Sequence, residues 1–453
     1  MPVNKDFYTL AGSSGQSTGY AIDHSLRFED GGYHVLQDPN SNAGDTRKKN
    51  TFSGWIKRGN LGILNYIYGY RYDGTNYQYL SFDSSDRLEF TDVTGGSVQA
   101  KLITNRVFRD PASWYHIVAA WDTANGVAAN RIILYVNGIR ETSFNTQTLP
   151  SQNADSGGAG RASANMRIGT YDYSANFFDG YMSELHYTDN YTYAPSDFGE
   201  FDSNNIWIPK EADVSYGSSG FYMQFGNSSE LGENTKGKGN YLDTETGTAG
   251  TSAIAANDQR SDTPTNNHCV MNNLRPGSAT FSNGNLDLSY SASSWTSAMG
   301  TIGIPYNSGI YYYEAKVISH AIYLSFGWGD VDMGQNQNSN PATPKYYVYS
   351  DYSGKYYSST DDGSIGDGFT NNDVIGLWYD SGSTSNNLKF YRNGTLQSSG
   401  TKSFDFSDVA HVTAVTLYNG SNSVEYRFDS AYWTEAPAGI TSANAITTNN
   451  IGS

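Results

Sequence analysis

This chain has almost no thiol chemistry. Cys269 is its only cysteine, so no disulfide can form within the chain, and a reducing place of synthesis fits. No apolar run approaches membrane-spanning length, and the opening MPVNKDFYTLAGSSG lacks the apolar centre of a signal peptide. Positive charge is also scarce. Against 45 Asp and Glu there are 28 Lys and Arg, a net charge of −17 and a pI near 4.7. Phosphate binding needs a basic stripe, so this balance argues against nucleic acid or an anionic membrane surface as partner. Hydrophobic residues reach only 37% with Ala included, and nowhere do apolar residues keep a helical i, i+3, i+4 rhythm over three turns. The chain has 37 Tyr, 20 Phe and 48 Gly instead. Tyrosine fits a half-wet pleated surface, and frequent glycine marks short strands joined by tight turns.

Along the chain, 51–58 (TFSGWIKR), 114–122 (WYHIVAAWD), 131–136 (RIILYV) and 177–187 (FFDGYMSELHY) read as strands. Between 227 and 277 large apolar residues nearly vanish, as in an interdomain linker or an ordered excursion held against one domain. Strands resume at 311–319 (YYYEAKVIS), 323–330 (YLSFGWGD), 373–380 (DVIGLWYD), 388–394 (LKFYRNG) and 423–429 (SVEYRFD). In the last, Val424, Tyr426 and Phe428 alternate with Glu425, Arg427 and Asp429, the pattern of one buried face.

A pattern repeats between the halves. NRIILYVNG at 130–138 matches NNLKFYRNG at 386–394, and each follows a Trp-bearing strand that ends in Asp, AAWD at 119–122 and LWYD at 377–380. Asn-Gly after a β run is a hairpin signal, because a type I′ turn needs two positive φ angles. The expectation is an all-β chain of two tandem antiparallel β-sandwich (jelly-roll) domains joined by a polar connector. Its segments are an arm (1–22), a first sandwich (23–226), the connector (227–294), a second sandwich (295–432) and a polar tail (433–453).

TFSGWIKRG, WYHIVAAWD, ILYVNG, MRIGTY and FFDGYMSELHYTDN resemble the strand series of laminin G/concanavalin A-like lectin domains over about 23–209. GIYYYEAKV, SFGWGD, NDVIGLWYD, LKFYRNG and VTAVTLYNG resemble a SPRY domain over about 295–432. Together with the connector DTPTNNHCVMNNL, the combination is similar to structural proteins of tailed bacteriophages, of the tail-fibre, head-fibre or decoration type. The resemblance implies a virion protein made in the host cytoplasm. Its implied partners are other virion proteins, further copies of itself (a trimer, by the habit of fibres) and a host-surface glycan or protein receptor.

Catalytic constellations are missing from the sequence. Glucanases on this sandwich need paired carboxylates, yet Glu184 and Glu314 stand alone, and Asp330 with Asp332 reads as a turn. The seven His sit mostly in strands, and no metal, phosphate-loop or dinucleotide motif occurs. The chain is therefore read as a non-enzyme. Calcium is the one cofactor left open, because Asp361, Asp362 and Asp367, and Asp172 with Asp179, have the oxygen density of loop sites without a recognised spacing. No metal ligand is assigned. Sugar binding calls for aromatic rings beside polar hydrogen-bonders, which singles out Tyr346, Tyr347, Tyr349 and Tyr352 with Asp361 and Asp362, and Asp172 with Tyr173. The reading is thus a virion structural protein that binds or assembles. The alternatives are a free carbohydrate-binding lectin and a polysaccharide depolymerase.

Overall fold

The computed structural model describes residues 9–10, 19–31, 34–37, 46–172, 175–236, 243–244, 254–274, 279–332, 346–351, 355–357, 361–364, 366–407, 409 and 411–451. Nearly all regular structure is antiparallel strand, and the chain divides into two packed units. The first comprises Ser17–Arg109 and Trp114–Thr265; the second is built chiefly from Asn266–Ser453.

The first unit is a sandwich of two eight-stranded sheets. In one sheet the order is Ile139–Arg140, Ile132–Val136, Trp114–Asp122, Lys49–Arg58, Gly180–Asp189, Ser25–Phe28 and Gln259–Arg260, with Phe221–Met223 also paired to Gly180–Asp189. In the other it is Phe144–Thr148, Ser97–Val107, Arg87–Thr94, Asn76–Phe82, Asn65–Asp73, Asn165–Ile168, Leu36–Gln37 and Asp243–Thr244. Period-two alternation turns one face of each strand inward. Rings meet between the sheets: Phe52 stacks on Tyr68 at 4.5 Å, Tyr70 lies 5.5 Å from Tyr187, and Phe90 lies 5.8 Å from Trp121. Each fully buried ring of this kind contributes about 1.5–3 kcal/mol, so a chain poor in aliphatics builds its core from aromatics.

In the second unit, the strands of a thirteen-stranded sheet are gathered around the long strand His411–Arg427. The strands Tyr346–Ser350 and Leu388–Arg392 lie towards opposite ends of the order, yet Tyr347 and Tyr349 both reach Phe390, at 6.0 Å. The sheet therefore folds over on itself. Tyr313 fills the interior between Trp328 at 5.1 Å and Phe428 at 5.3 Å.

The repeated hairpins form as the sequence indicates. Asn137 and Gly138 have φ of 48° and 76°, and Asn393 and Gly394 have φ of 49° and 73°. These are left-handed pairs, favoured by Asn followed by Gly. The likeness extends to the neighbouring strand. The Asn137 side chain accepts from the His116 amide at 2.8 Å while its own amide donates to the His116 carbonyl, also at 2.8 Å. Asn393 makes the same pair of bonds with Val374, each 2.8 Å.

Two segments that read as polar in sequence are packed. The described part of the connector within the first unit, residues 254–265, adds Gln259–Arg260 to the edge of the sheet that contains Lys49–Arg58 and places Ile254 in the core. There Asp262 accepts from Lys57 Nζ at 2.7 Å and from Trp114 Nε1 at 3.0 Å, and Asp258 accepts from Arg27 at 2.7 Å. In the second unit, Trp433 packs edge-on against Tyr312 at 4.9 Å, and Ile446 and Ile451 are buried. Buried Cys269 bonds through its amide to the Ile446 carbonyl at 2.9 Å. The expected tail is thus a structural part of its unit over 433–451. Among the described residues no helix is long and apolar enough to cross a membrane.

Candidate functional site

The two sheets of the first unit treat their outer faces differently. On the sheet containing Lys49–Arg58, outward-facing Trp55, His116, Val118 and His186 are roofed by the chain between 190 and 217. Phe198 lies 5.1 Å from His186. Trp207 stacks 5.8 Å from His116 and donates Nε1–H to its Nδ1 at 3.0 Å. Burial pushes both imidazoles down to about 3, so they are neutral hydrogen-bond partners.

The outer face of the second sheet instead carries a group of four tyrosines, Tyr77, Tyr79 and Tyr171 half-buried and Tyr66 buried among them. Tyr77 and Tyr79 project outward from Asn76–Phe82, because Gln78, Leu80 and Phe82 occupy the inward positions. Tyr66 comes from the adjoining Asn65–Asp73, where a bulge between Tyr66 and Tyr68 lets it join the outward row. Tyr171 arrives from the loop after Asn165–Ile168. Its backbone lies directly over Gly69, where a β-carbon would stand 2.5 Å from Tyr171 Cβ, so only glycine admits this approach. The Tyr171 ring then sits 5.1 Å from Tyr66, 5.3 Å from Tyr77 and 5.5 Å from Tyr79, while Tyr77 and Tyr79 stack at 6.0 Å.

Polar groups border the rings. Glu89, one strand away, accepts from Tyr79 at 2.9 Å, from Thr91 at 2.8 Å and from Lys101 at 2.8 Å. Arg71 lies 5.5 Å over the Tyr171 ring and donates to Asp172 at 2.9 Å. Burial raises the Tyr66, Tyr79 and Tyr171 phenols, helped by the negative charge of Glu89 and Asp172, so all three stay protonated. The face therefore offers neutral ring surface, O–H groups and carboxylates already matched to cations.

The residues singled out in sequence divide accordingly. Asp172 stands at this face, while Tyr173 and Tyr352 lie outside the described residues. Tyr346, Tyr347 and Tyr349 are placed in the core of the second unit. Tyr347 packs 5.4 Å from Phe404, Tyr349 packs 5.3 Å from Phe369, and Tyr346 joins Met299, Val348 and Val415. This strand is buried on both faces, leaving no ring for a ligand. Asp361 and Asp362 open a short strand, Asp361–Ser364, and only their backbone is described. Among the described residues no three His, Cys, Asp or Glu gather so as to hold a metal ion. Tyr66, Tyr77, Tyr79 and Glu89 went unread in the sequence. Outward alternation in NYQYLSF and RLEFTDVT was the available signal for Tyr77, Tyr79 and Glu89, whereas Tyr66 joins them only through a bulge that alternation does not show.

Residues 29–191 match the family model of the concanavalin A-like lectin/glucanases superfamily, in its laminin G form. The first sandwich has the concanavalin A-like, lectin-type fold. The matched stretch holds all four tyrosines of the face, together with Glu89 and Asp172. No curated protein matches the chain. Similar solved structures include the SPRY domain of human HERC1, at 16% identity over 33% of this chain and 91% of that one, TM-score 0.28. A heptameric SAP-like pentraxin from Limulus polyphemus follows at 17% identity, 37% and 76% coverage and TM-score 0.27. Mouse laminin α1 domains LG4-5 align over 94% of this chain and 92% of that one, at 9% identity and TM-score 0.31. Likeness at this level carries no functional argument.

Proposed function

We propose that this protein is a non-enzymatic glycan-binding protein that takes its ligand on the Tyr66–Tyr77–Tyr79–Tyr171 face. One observation carries the reading: of the two outer faces of a lectin-type sandwich, one is roofed by its own chain and the other holds three half-exposed tyrosines, Tyr77, Tyr79 and Tyr171, backed by buried Tyr66 and edged by hydrogen-bonding groups. Such a surface suits sugars, whose C–H faces lie on rings while their hydroxyls bond to phenols and carboxylates. Because Glu89 is bonded to Lys101 and Asp172 to Arg71, the bordering charges cancel in pairs, which favours a neutral glycan. The same pairing argues against a depolymerase on this face. Glycoside hydrolysis needs one carboxyl free to donate a proton and a second to act as nucleophile or base.

A glycan array probed with the full chain tests the proposal. Neutral oligosaccharides are expected to bind, and a Tyr77→Ala/Tyr79→Ala double variant to lose roughly 2 kcal/mol or more, a weakening of about 30-fold. An array without hits, or one equally bright with the double variant, defeats it.

The assignment to a tailed-phage particle, among other virion proteins and copies of itself, is supported by the sequence resemblance of the paired domains and connector. It predicts self-association. Light scattering of the purified chain should give a mass of several protomers, with a trimer favoured by fibre architecture; a stable monomer at micromolar concentration removes that part of the reading.

A further inference from the structure

The first unit leaves one sheet edge open. One of its sheets ends in Ile139–Arg140 and Gln259–Arg260, the other in Asp243–Thr244 and Phe144–Thr148. Three of these terminal strands are two residues long, and Phe221–Met223, paired off the main order, has three. Edge strands this short offer few free amides and carbonyls to recruit another strand. Phe144–Thr148 has five residues. It pairs with Ser97–Val107 on one side, and among the described residues no strand lies on the other. Thr142, Ser143, Asn145, Gln147 and Thr148 are exposed.

Charge and apolar cover set this edge apart. Residues 142–154, TSFNTQTLPSQNA, hold no charge, in a chain whose net charge is −17. The charges that flank the strand are matched: Glu141 meets Arg106 at 3.2 Å, and Lys101, in register with Thr148, meets Glu89 at 2.8 Å. Natural sheet edges are kept apart by charged side chains, proline or bulges. This strand has a bulge, between Phe144 and Thr146, and neither of the others. Among the described residues, two apolar side chains pack on the core between the sheets while staying half-exposed. They are Phe144 and, just past the strand, Leu149. The core is thus incompletely covered beside the one edge that is long enough to pair.

We propose that Phe144–Thr148 is a self-pairing edge, joined antiparallel to the same strand of a second copy about a two-fold axis. Charge selects this occupant: copies of a strongly acidic chain repel one another, and the uncharged stretch is where two of them can approach. Main-chain hydrogen bonds hold the pair. With the whole strand matched, Thr146 faces its own equivalent, and Asn145 faces the second copy's Gln147. A two-fold contact closes at two copies, so this edge makes a dimer and not the trimer of a fibre. It joins two eight-stranded sheets into one. Asn76–Phe82, which carries Tyr77 and Tyr79, lies three strands in from the edge. The two tyrosine faces then stand on the same side of the joined sheet, seven strand spacings or ~34 Å apart along it. The dimer is a two-headed form of the glycan binder proposed above, and this last step alone rests on that reading.

Sedimentation equilibrium of the full chain tests the contact, and because it is read without any glycan its outcome is independent of the array's. Five residues a side make a small interface, so the average mass should rise across the micromolar range from the 49.6 kDa of one chain towards twice that value. Asn145→Lys/Gln147→Lys, at two exposed positions, sets like charges opposite each other twice across the axis and should weaken the dimer about tenfold or more. Asn145→Lys/Gln147→Glu sets opposite charges there and should keep it. A wild-type chain that stays monomeric overturns the edge contact together with the self-association read above. An oligomer of two or three protomers whose mass the double lysine variant leaves unchanged overturns the edge contact alone, and so does equal weakening by both variants.

Discussion

Replacing Asp262 by Ala is expected to destabilise the first unit by about 3–5 kcal/mol. The Lys57 ammonium is fully buried and its Nζ lies 2.7 Å from Asp262 Oδ2. Lys57 also lies 5.6 Å from the Tyr181 ring, an attraction too weak to replace a carboxylate in a dry site. Without Asp262, the ammonium loses the carboxylate that balances its charge in a buried site. Trp114 Nε1, bonded to Asp262 at 3.0 Å, also loses an acceptor, and a buried donor left unmade costs about 1–3 kcal/mol more. The effect belongs to breaking the pair rather than to having one. Lys57→Met combined with Asp262→Leu should recover most of the loss, because apolar replacement of a whole buried pair is often neutral or stabilising. Thermal and denaturant unfolding of the two variants measure this. A loss below about 1 kcal/mol for Asp262→Ala would show the pair to be solvent-screened.

Glu314 in the second unit is expected to show the other large effect. Its carboxylate is completely buried, and it accepts from the backbone amides of Thr434 at 2.9 Å and Glu435 at 2.8 Å and from Arg427 at 3.5 Å. Glu314→Ala leaves two amides and a guanidinium group without this acceptor, at a cost of about 3 kcal/mol or more. The damage should be local as well as global. Residues 433–451 are held by these amide bonds and by Trp433 on Tyr312, so their hydrogen exchange should accelerate well ahead of the strand His411–Arg427. Uniform acceleration over the unit would instead mean that Glu314 supports the sheet and not the segment it clasps. Tyr312→Phe, which removes a 3.3 Å bond to Glu314 and a 3.5 Å bond to the Glu435 carbonyl, should speed that exchange far less than Glu314→Ala does.

Glu314 and Asp262 also show where sequence reading stopped. In YEAKV the glutamate stands alone, and Asp262 lies in a stretch with almost no large apolar residues. Neither gives a local signal, because the partners are 120 and 205 positions away. Polar composition marked 227–277 and 433–453 as connector and tail. Composition cannot report that a few carboxylates will be buried against amides and ammonium groups brought to them by the fold. The tyrosine clusters misled for a related reason. The run at 346–352 looks like a platform, yet its strand is covered on both faces. The tyrosines of NYQYLSF look ordinary, yet they share an open face with Tyr66 and Tyr171.

What the sequence determined by itself was the strand texture, the two-part organisation and the paired Asn-Gly turns. These depend on period-two alternation and on φ preferences, which act between neighbours along the chain. The tertiary structure alone decided which face is roofed, which carboxylates are buried and where four tyrosines gather. Each of those outcomes depends on which strands become neighbours and which segment returns to cover them, a pairing between residues distant in sequence that no local preference encodes.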